Sequence, residues 1–342
     1  MINSERPPKD LTQPRLSPLI GLGLGAIVLL ICLIFSVTLG AKDIPLPTIL
    51  ESFTRFDNSV DHLVIQTVRI PRSVLAIVVG AALAVSGALM QGLTRNPLAE
   101  TGILGIGAGG ALAVVATQFL FGSASLTAYA SAAFLGAGAA AVAVYGLGTL
   151  GRGGATPLNL TVAGAALTAF ISSITTAILI VSQRTFEEIR FWLAGSLAGR
   201  DFSLLLQVLP FMGMGLLIAF LLGRQITTMS LGEDIATSLG QRTLWIKILT
   251  ATSVVLLAGG AVAIAGPIGF VGLVVPHVVR FYIKTDYRWI LPYSALLGAI
   301  LLLLSDIAAR VVLKPQEIPV GVMTAIVGAP FFVYLAKSKV KK

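Results

Sequence analysis

Apolar residues run along the chain in long blocks, separated by short polar, proline-bearing or glycine-bearing breaks. The blocks are too long and too free of charge for barrel strands, which alternate over about 10 residues. About 20 mostly apolar residues suffice for one helix to cross a bilayer core. Ten blocks qualify as spans: 17–39, 73–93, 101–121, 127–150, 158–182, 203–223, 244–265, 270–283, 290–312 and 319–336. The eighth is too short to span alone. It lies between Pro267 and the charged break 284–288, and a half-helix or a tilted segment is expected there. The stretch 151–157, with three glycines and Pro157, predicts a turn between the fourth and fifth spans. Residues 1–16 are polar and proline-dotted, but the run that follows from Leu19 to Leu39 exceeds a secretory h-region of about 7–15 residues, so it is read as a retained span. The pattern predicts an all-α polytopic membrane protein. A cytoplasmic tail (1–16) precedes a ten-helix domain (17–336), and a basic tail (337–342) follows it.

Composition removes the soluble alternatives. Of 342 residues 56% are hydrophobic and 11% charged, with mean hydropathy +0.93; a soluble domain carries about 25% charged residues. The 36 glycines suit close helix packing in lipid. Cys32 is the single cysteine and sits in an apolar run, so it reads as a small hydrophobe and forms no intrachain disulfide.

Charge adds an orientation. With the N-terminus inside and ten spans, 15 of the 24 basic residues but 6 of the 15 acids fall on the inner side, which leaves +9 there and 0 outside. Both termini are therefore expected in the cytoplasm. The pI near 9.9 is a topology signal and not a nucleic-acid footprint.

The chain lacks the means to do work alone. Ion-coupled transporters carry ionisable groups at membrane depth, whereas every charged residue here falls in a loop or near a span end. Asp306, the deepest acid, is read as an interfacial partner of Arg310 one turn away. None of the nine lysines follows a glycine, so no phosphate-binding loop is present. His62 and His277 offer neither a metal cluster nor a catalytic pair, and packing is the plainer role for both. No catalytic residue and no metal site is expected, and the work must come from a partner.

Two segments suit protein contacts. Between the sixth and seventh spans, Leu231 and Gly232 open a short helix that Gly240 closes, with Glu233 and Asp234 in its first turn. Ile235, Ala236 and Leu239 fall on one face, and the segment reads equally as a docking element or as a cover for the bundle. On the outer side stand Arg69 and Arg72, entering the second span, and Arg310, leaving the ninth. Guanidinium groups clamp carboxylates bidentately, although snorkelling at a span end explains each of them singly.

These residues belong to an ordered series. It comprises Arg69-Ile-Pro-Arg72, Gly87-Ala-Leu-Met-Gln91, Arg95-Asn-Pro-Leu-Ala-Glu-Thr-Gly102, the segment 231–240, Gly266-Pro-Ile-Gly-Phe270 through His277, Asp306-Ile-Ala-Ala-Arg310, Glu317-Ile-Pro-Val-Gly321 and Gly328-Ala-Pro-Phe-Phe332. From about Leu19 to Leu335 the chain resembles the FecCD family, the membrane permeases of ABC importers for ferric siderophores, haem and cobalamin. The resemblance implies the type II importer permease architecture, with two permease subunits around one path and two separate ATPases beneath. ATP and Mg would bind those ATPases, and this chain would hold no cofactor. A periplasmic or lipid-anchored binding protein would deliver the ligand at the outer face of a bacterial inner membrane, lipid surrounding the subunit.

Site residues follow from the same resemblance. Arg69, Arg72 and Arg310 would pair with glutamates of the binding protein. Leu231, Gly232, Glu233, Ala236, Leu239 and Gly240 would form the helix that fits a groove on the ATPase. Asn96, Pro97 and Leu98, with Thr156, Pro157 and Leu158, would form the cytoplasmic gate, although turn chemistry also accounts for them. The segment 185–195 would make the periplasmic turn before the sixth span. The fifth and tenth spans would line the path. Ser172, Ser173, Thr175 and Thr176 would offer hydroxyls there, or bond back to their own helix. A ferric siderophore is the expected cargo, with cobalamin or haem as alternatives within the family and a self-contained secondary transporter as the alternative outside it.

Overall fold

The computed structural model describes residues 17–40, 42–122, 124–150, 156–200 and 202–340. The tail 1–16 with Arg6, Lys9 and Arg15, the turn 151–155 and residues 341–342 of the basic tail lie outside the described residues. The rest of that tail, 337–340, continues the last helix.

The first span is α1 (Pro18–Thr38), opened by a proline whose missing N–H costs nothing at a helix start. The expected outer loop folds into α2 (Leu46–Thr54) and α3 (Val60–Val64). From α3 the chain passes through a π turn (Ile65–Arg69) into α4 (Ile70–Thr94). One helical stretch therefore covers Val60–Thr94, and the expected start at 73 is corrected. Pro71 lies inside this stretch. It has no N–H for the carbonyl one turn back, and the wide π turn before it absorbs the missing bond.

A 3-10 turn (Thr101–Leu104) leads to α5 (Ile106–Phe121), followed by α6 (Leu126–Thr149) and α7 (Pro157–Val181). The segment expected as a turn at 185–195 is largely a helix, α8 (Gln183–Leu193), started by the Ser182 hydroxyl accepting from Thr185 N. Next come α9 (Phe202–Leu221), α10 (Gly223–Ser230), α11 (Glu233–Ser238) and α12 (Thr243–Val254). A π turn (Val255–Gly259) joins α12 to α13 (Gly260–Ala265), and α14 (Val271–Ile283), α15 (Tyr287–Val311) and α16 (Val320–Val340) complete the chain. Among the described residues, seven stretches are long and apolar enough to cross a membrane. Three shorter apolar helices, α5, α14 and the Val320–Val333 part of α16, stand at the expected third, eighth and tenth positions.

α4 is the most buried span, and α1 and α7 lie at the perimeter. Small residues let its neighbours approach. A Cβ on Gly80 would overlap the carbonyl of Gly298 on α15, and one on Gly87 would overlap that of Gly272 on α14. Such contacts bring backbones within dispersion range where lipid supplies no hydrophobic drive.

Three chain breaks meet beside this core. Gly195 after α8 (φ +76°) and Gly266 after α13 (φ +74°) adopt backbone that L side chains rarely take. Ser196 N donates to Ala265 O at 2.8 Å, and Gly321 N on α16 donates to Gly195 O at 3.0 Å. The ends of α8 and α13 and the start of α16 are thus tied through backbone alone.

Candidate functional site

The structure brings Arg69, Arg72 and Arg310 together at one end of the bundle, and all three are buried. Arg69 Nη1 donates to Val37 O at 2.6 Å and Thr38 O at 2.7 Å, and its Nη2 to Lys42 O. Arg310 Nη1 donates to Ser36 O at 2.9 Å and Leu39 O at 3.0 Å, and its Nη2 to Ser36 Oγ at 2.9 Å. Four of these carbonyls belong to the end of α1 and its cap, where a helix leaves carbonyls unpaired and favours a cation. Two of the three arginines therefore cap the first span.

Arg72 does different work. Its Nε and Nη2 each lie 2.9 Å from Asp306 Oδ1, and its Nη1 lies 2.7 Å from Glu317 Oε2. Arg310 Nε lies 3.1 Å from Asp306 Oδ2, so one carboxylate serves two guanidinium groups. The pairing of Asp306 with Arg310 holds, but its interfacial placement is corrected, since Asp306 is 0% exposed. Span ends were expected to leave such charges in water. Here α3 and the segment after α1 line the cleft beside them, and the carboxylate is stabilised by pairing and not by hydration.

This network forms one wall of a cleft of about 290 Å³ that also holds Lys42 and Asp61. The Glu317 side chain is 35% exposed and belongs to two walls. It lines this cleft and also a second one of about 390 Å³ with Phe191, Ser196, Arg200 and Pro319. Burial lowers the basicity of the Arg200 guanidinium, whose Nε donates to Ser196 O at 3.3 Å.

At the opposite end stands α11. Gly232 (φ +140°) precedes it, and Gly240 (φ +79°) closes it, with Gly240 N bonded to Thr237 O at 2.9 Å and Gln241 N to Ala236 O at 3.0 Å. That pair of bonds is the glycine-closed helix end the sequence predicts. The expected single apolar face is corrected. Ala236 is fully buried against Met229 and Ile246, while Leu231, Ile235 and Leu239 are 61%, 46% and 67% exposed. A six-residue helix seated by one methyl group cannot turn its larger side chains inward as well. Lys247 Nζ on α12 fixes it from below, 2.6 Å from Glu233 Oε1.

The two loops expected to form the gate have their roots near α11. Arg95 (φ +51°) ends α4, Leu98 N donates to Asn96 Oδ1 at 3.0 Å, and Ala99 N to Asn96 O at 3.0 Å. Thr156 Oγ1 accepts from Asn159 N at 3.2 Å, which caps α7 ahead of Pro157, and Leu158 is exposed. A small cavity of about 30 Å³ is lined by Arg95, Leu160, Met229, Glu233 and Lys247, so the roots of both loops and α11 share one space. Of the α7 hydroxyls, Ser173 bonds back to Ala169 O and Thr175 to Ile171 O, both at 2.9 Å, and Ser172 and Thr176 are exposed.

Glu100 was not singled out by the sequence reading. Its Oε1 accepts from Phe270 N at 2.8 Å, at the start of α14. Phe270 has φ +69° and packs on Gly328 of α16, where a Cβ would overlap it. One carboxyl thus ties the loop after α4 to the start of α14 and, through Phe270, to α16. The signal in the sequence was an acid three residues beyond Pro97 and outside any first helical turn. Its partner was a backbone group 170 residues away, which no local pattern shows. Among the described residues no cluster of His, Cys, Asp and Glu could hold a metal. His62 is buried against Asp57, its Nδ1 2.8 Å from Oδ1, and His277 stacks edge-on with Phe281 and Phe331.

The sequence model of the FecCD transport family matches residues 28–338. The probable siderophore transport system permease protein YfiZ of Bacillus subtilis (strain 168) is 48% identical over 322 residues, covering 92% of this chain and 97% of the relative. The ferric enterobactin transport system permease protein FepD of Escherichia coli (strain K12) is 38% identical over 315 residues, 92% of this chain and 94% of that one. Among solved structures, an inward-facing metal-chelate type ABC transporter superposes with TM-score 0.83 at 30% identity, covering 94% of this chain and all of that one.

Proposed function

The chain belongs to the FecCD transport family, and from that premise we propose that it is one of two permease subunits of an ATP-driven importer for a ferric siderophore or a related iron chelate. The observation that carries the reading is α11. It presents Leu231, Ile235 and Leu239 outward in a chain whose sequence contains no phosphate-binding-loop motif. A separate ATPase, holding ATP and Mg, covers that patch. Relatives named for siderophore, hydroxamate and citrate transport support the iron chelate as cargo.

The chain crosses a bacterial inner membrane ten times with both termini in the cytoplasm. The seven long and three short apolar helices and the one-sided excess of basic residues support this. The end carrying α11 is then cytoplasmic and the arginine end faces outward. The second permease subunit packs on the perimeter formed by α7 and α16, whose Phe170, Ile174, Ile326 and Val327 are exposed. A binding protein docks with acidic side chains over the cleft of Arg69, Arg72 and Arg310, supported by the single surplus positive charge of three arginines against Asp306 and Glu317.

Transport proceeds by alternating access. Nucleotide binding by the ATPases moves α11 as a unit, because Lys247 and the glycine-closed ends leave it little internal freedom. The movement reaches Arg95 and the loop at Asn96–Leu98 through the cavity they share, and Leu158 through the root of α7. Nucleotide must prefer one of the two states for this to shift the equilibrium.

The test is mild-detergent purification of the chain from its native membranes, with mass spectrometry of what accompanies it. An ATPase with a phosphate-binding loop and a sister permease, or this chain alone as a dimer, is the expected result. A chain that emerges repeatedly without any ATPase, from membranes in which such ATPases are detected, overturns the reading.

A further inference from the structure

Arg72 holds two carboxylates of unequal standing. Asp306 is fully buried and shared with Arg310, so removing it strands two cations. Glu317 touches only one guanidinium edge, through Nη1, and its side chain is 35% exposed. Of the two, only Glu317 can leave without exposing a buried charge. It also stands at the partition between two clefts. A carboxylate leaving Arg72 enters the second cleft, where half-buried Arg200 is the cation on the wall.

Glu317 is connected to the rest of the fold as a handle would be. The next residue donates Ile318 N to Ala309 O at 3.0 Å, and α16 starts two residues later, at Val320. Gly321 N is bonded to Gly195 O, and Gly328 further along packs on Phe270 at the break before α14. Anything that pulls Glu317 from Arg72 therefore acts on the first turn of α16.

We propose that Glu317 is an internal stand-in for the docking partner's carboxylate. It fills the outer edge of the Arg72 fork in the undocked importer, and an incoming acidic side chain displaces it. The partner thereby releases the first turn of α16 as it binds. The inference rests on the docking reading above and adds to it both the displaced residue and the route by which docking reaches α16. A stand-in lowers the affinity of docking, since the partner must compete with a group tethered at the site. Removing the stand-in therefore tightens docking, whereas removing an ordinary contact residue weakens it.

The experiment uses the assembled importer in lipid nanodiscs, with the binding protein identified by the purification described above as the probe. Docking affinity is measured for the native complex and for Glu317→Gln, Glu317→Ala and Arg72→Lys, each first shown to assemble with its ATPase as a monodisperse complex. Arg72→Lys keeps a cation but removes the fork, and weaker docking by that variant tests the docking reading itself. The expected result is weaker docking for Arg72→Lys and docking about 2–5-fold tighter for both Glu317 variants, the scale of one partly exposed ion pair. Weaker docking for Arg72→Lys with unchanged or weaker docking for the Glu317 variants overturns the stand-in and leaves the docking face in place. Unchanged docking for Arg72→Lys removes the docking face, and the stand-in with it.

Discussion

Arg72 and Asp306, 234 positions apart in the chain, form a side-on ion pair with two nitrogens of the guanidinium 2.9 Å from one carboxylate oxygen. The pair joins α4 to α15, and Arg310 and Ser36 extend it to the end of α1. It is a structural element first, because three helices are fastened by buried charged and polar groups.

Replacing Asp306 by alanine leaves two buried guanidinium groups short of a partner. The expected loss is about 3–5 kcal/mol, the range for breaking one side of a buried pair. Thermal unfolding of the detergent-solubilised chain reads it directly. A midpoint within error of the native one removes the network from the account of the fold. Charge reversal at Arg69 or Arg72 is expected to fail for the same reason, before any effect on docking can be read.

Glu100 offers a sharper contrast. Burial pushes its carboxyl above the ordinary range, against the hydrogen bond from Phe270 N, which holds it down. A carboxyl with a raised native pKa costs stability as pH climbs from its unfolded value toward the native one. Glu100→Gln keeps an acceptor for Phe270 N and removes the charge, so it is expected to be as stable as the native chain, or more so, at neutral pH. Glu100→Ala orphans that N–H and is expected to lose about 1–3 kcal/mol. Thermal midpoints of the two variants in one detergent check the order, and equal losses would contradict it.

The outward side chains of α11 separate folding from assembly. Leu239→Asp, or Leu231→Ser with Ile235→Ser, changes exposed positions only, so the midpoint of unfolding is expected to stay within about 0.5 kcal/mol of native. Recovery of the ATPase with the chain is expected to fall sharply. Undiminished recovery means that another surface carries the contact.

Acid is expected to loosen α11 from its seat. The hydrogen bond from Lys247 holds the Glu233 carboxyl below its ordinary value. A lowered carboxylate pKa contributes stability that is present above the unfolded value, about 4.3, and is lost as pH falls through the native value. Amide exchange over 233–240, corrected for intrinsic rates, should therefore rise between about pH 5 and pH 3. Salt should reduce the effect, since Glu233 is half-exposed and the pair is screened. Exchange independent of pH after correction would show that Lys247 does not hold the helix.

Of the candidate site, the residues were legible and their surroundings were not. Gly232, Gly240 and the acids of the first turn announced α11 correctly, because helix ends are local chemistry. Which way Ile235 and Leu239 point was not local, since it depends on Met229 and Ile246 leaving room for Ala236 alone. Arg69, Arg72 and Arg310 were singled out by residue type near span ends, and grouped as one site only by the family resemblance. That two of them cap α1 and that Glu317 shares the third required three distant segments to be placed together.

The sequence by itself determined that this is a helical membrane protein, and it located the apolar helices, although the second begins well before its expected start. Hydrophobic length and the absence of charge are properties of contiguous residues, and lipid reads them one segment at a time. The tertiary structure decided what the charges at the span ends do. An arginine near a span end can reach water or turn inward, and the choice falls to whatever carbonyls and carboxylates other segments bring within about 3 Å. Here the end of α1, α3 and the segment before α16 surround them, so Asp306 became the buried centre of a network and Glu317 its partly exposed edge.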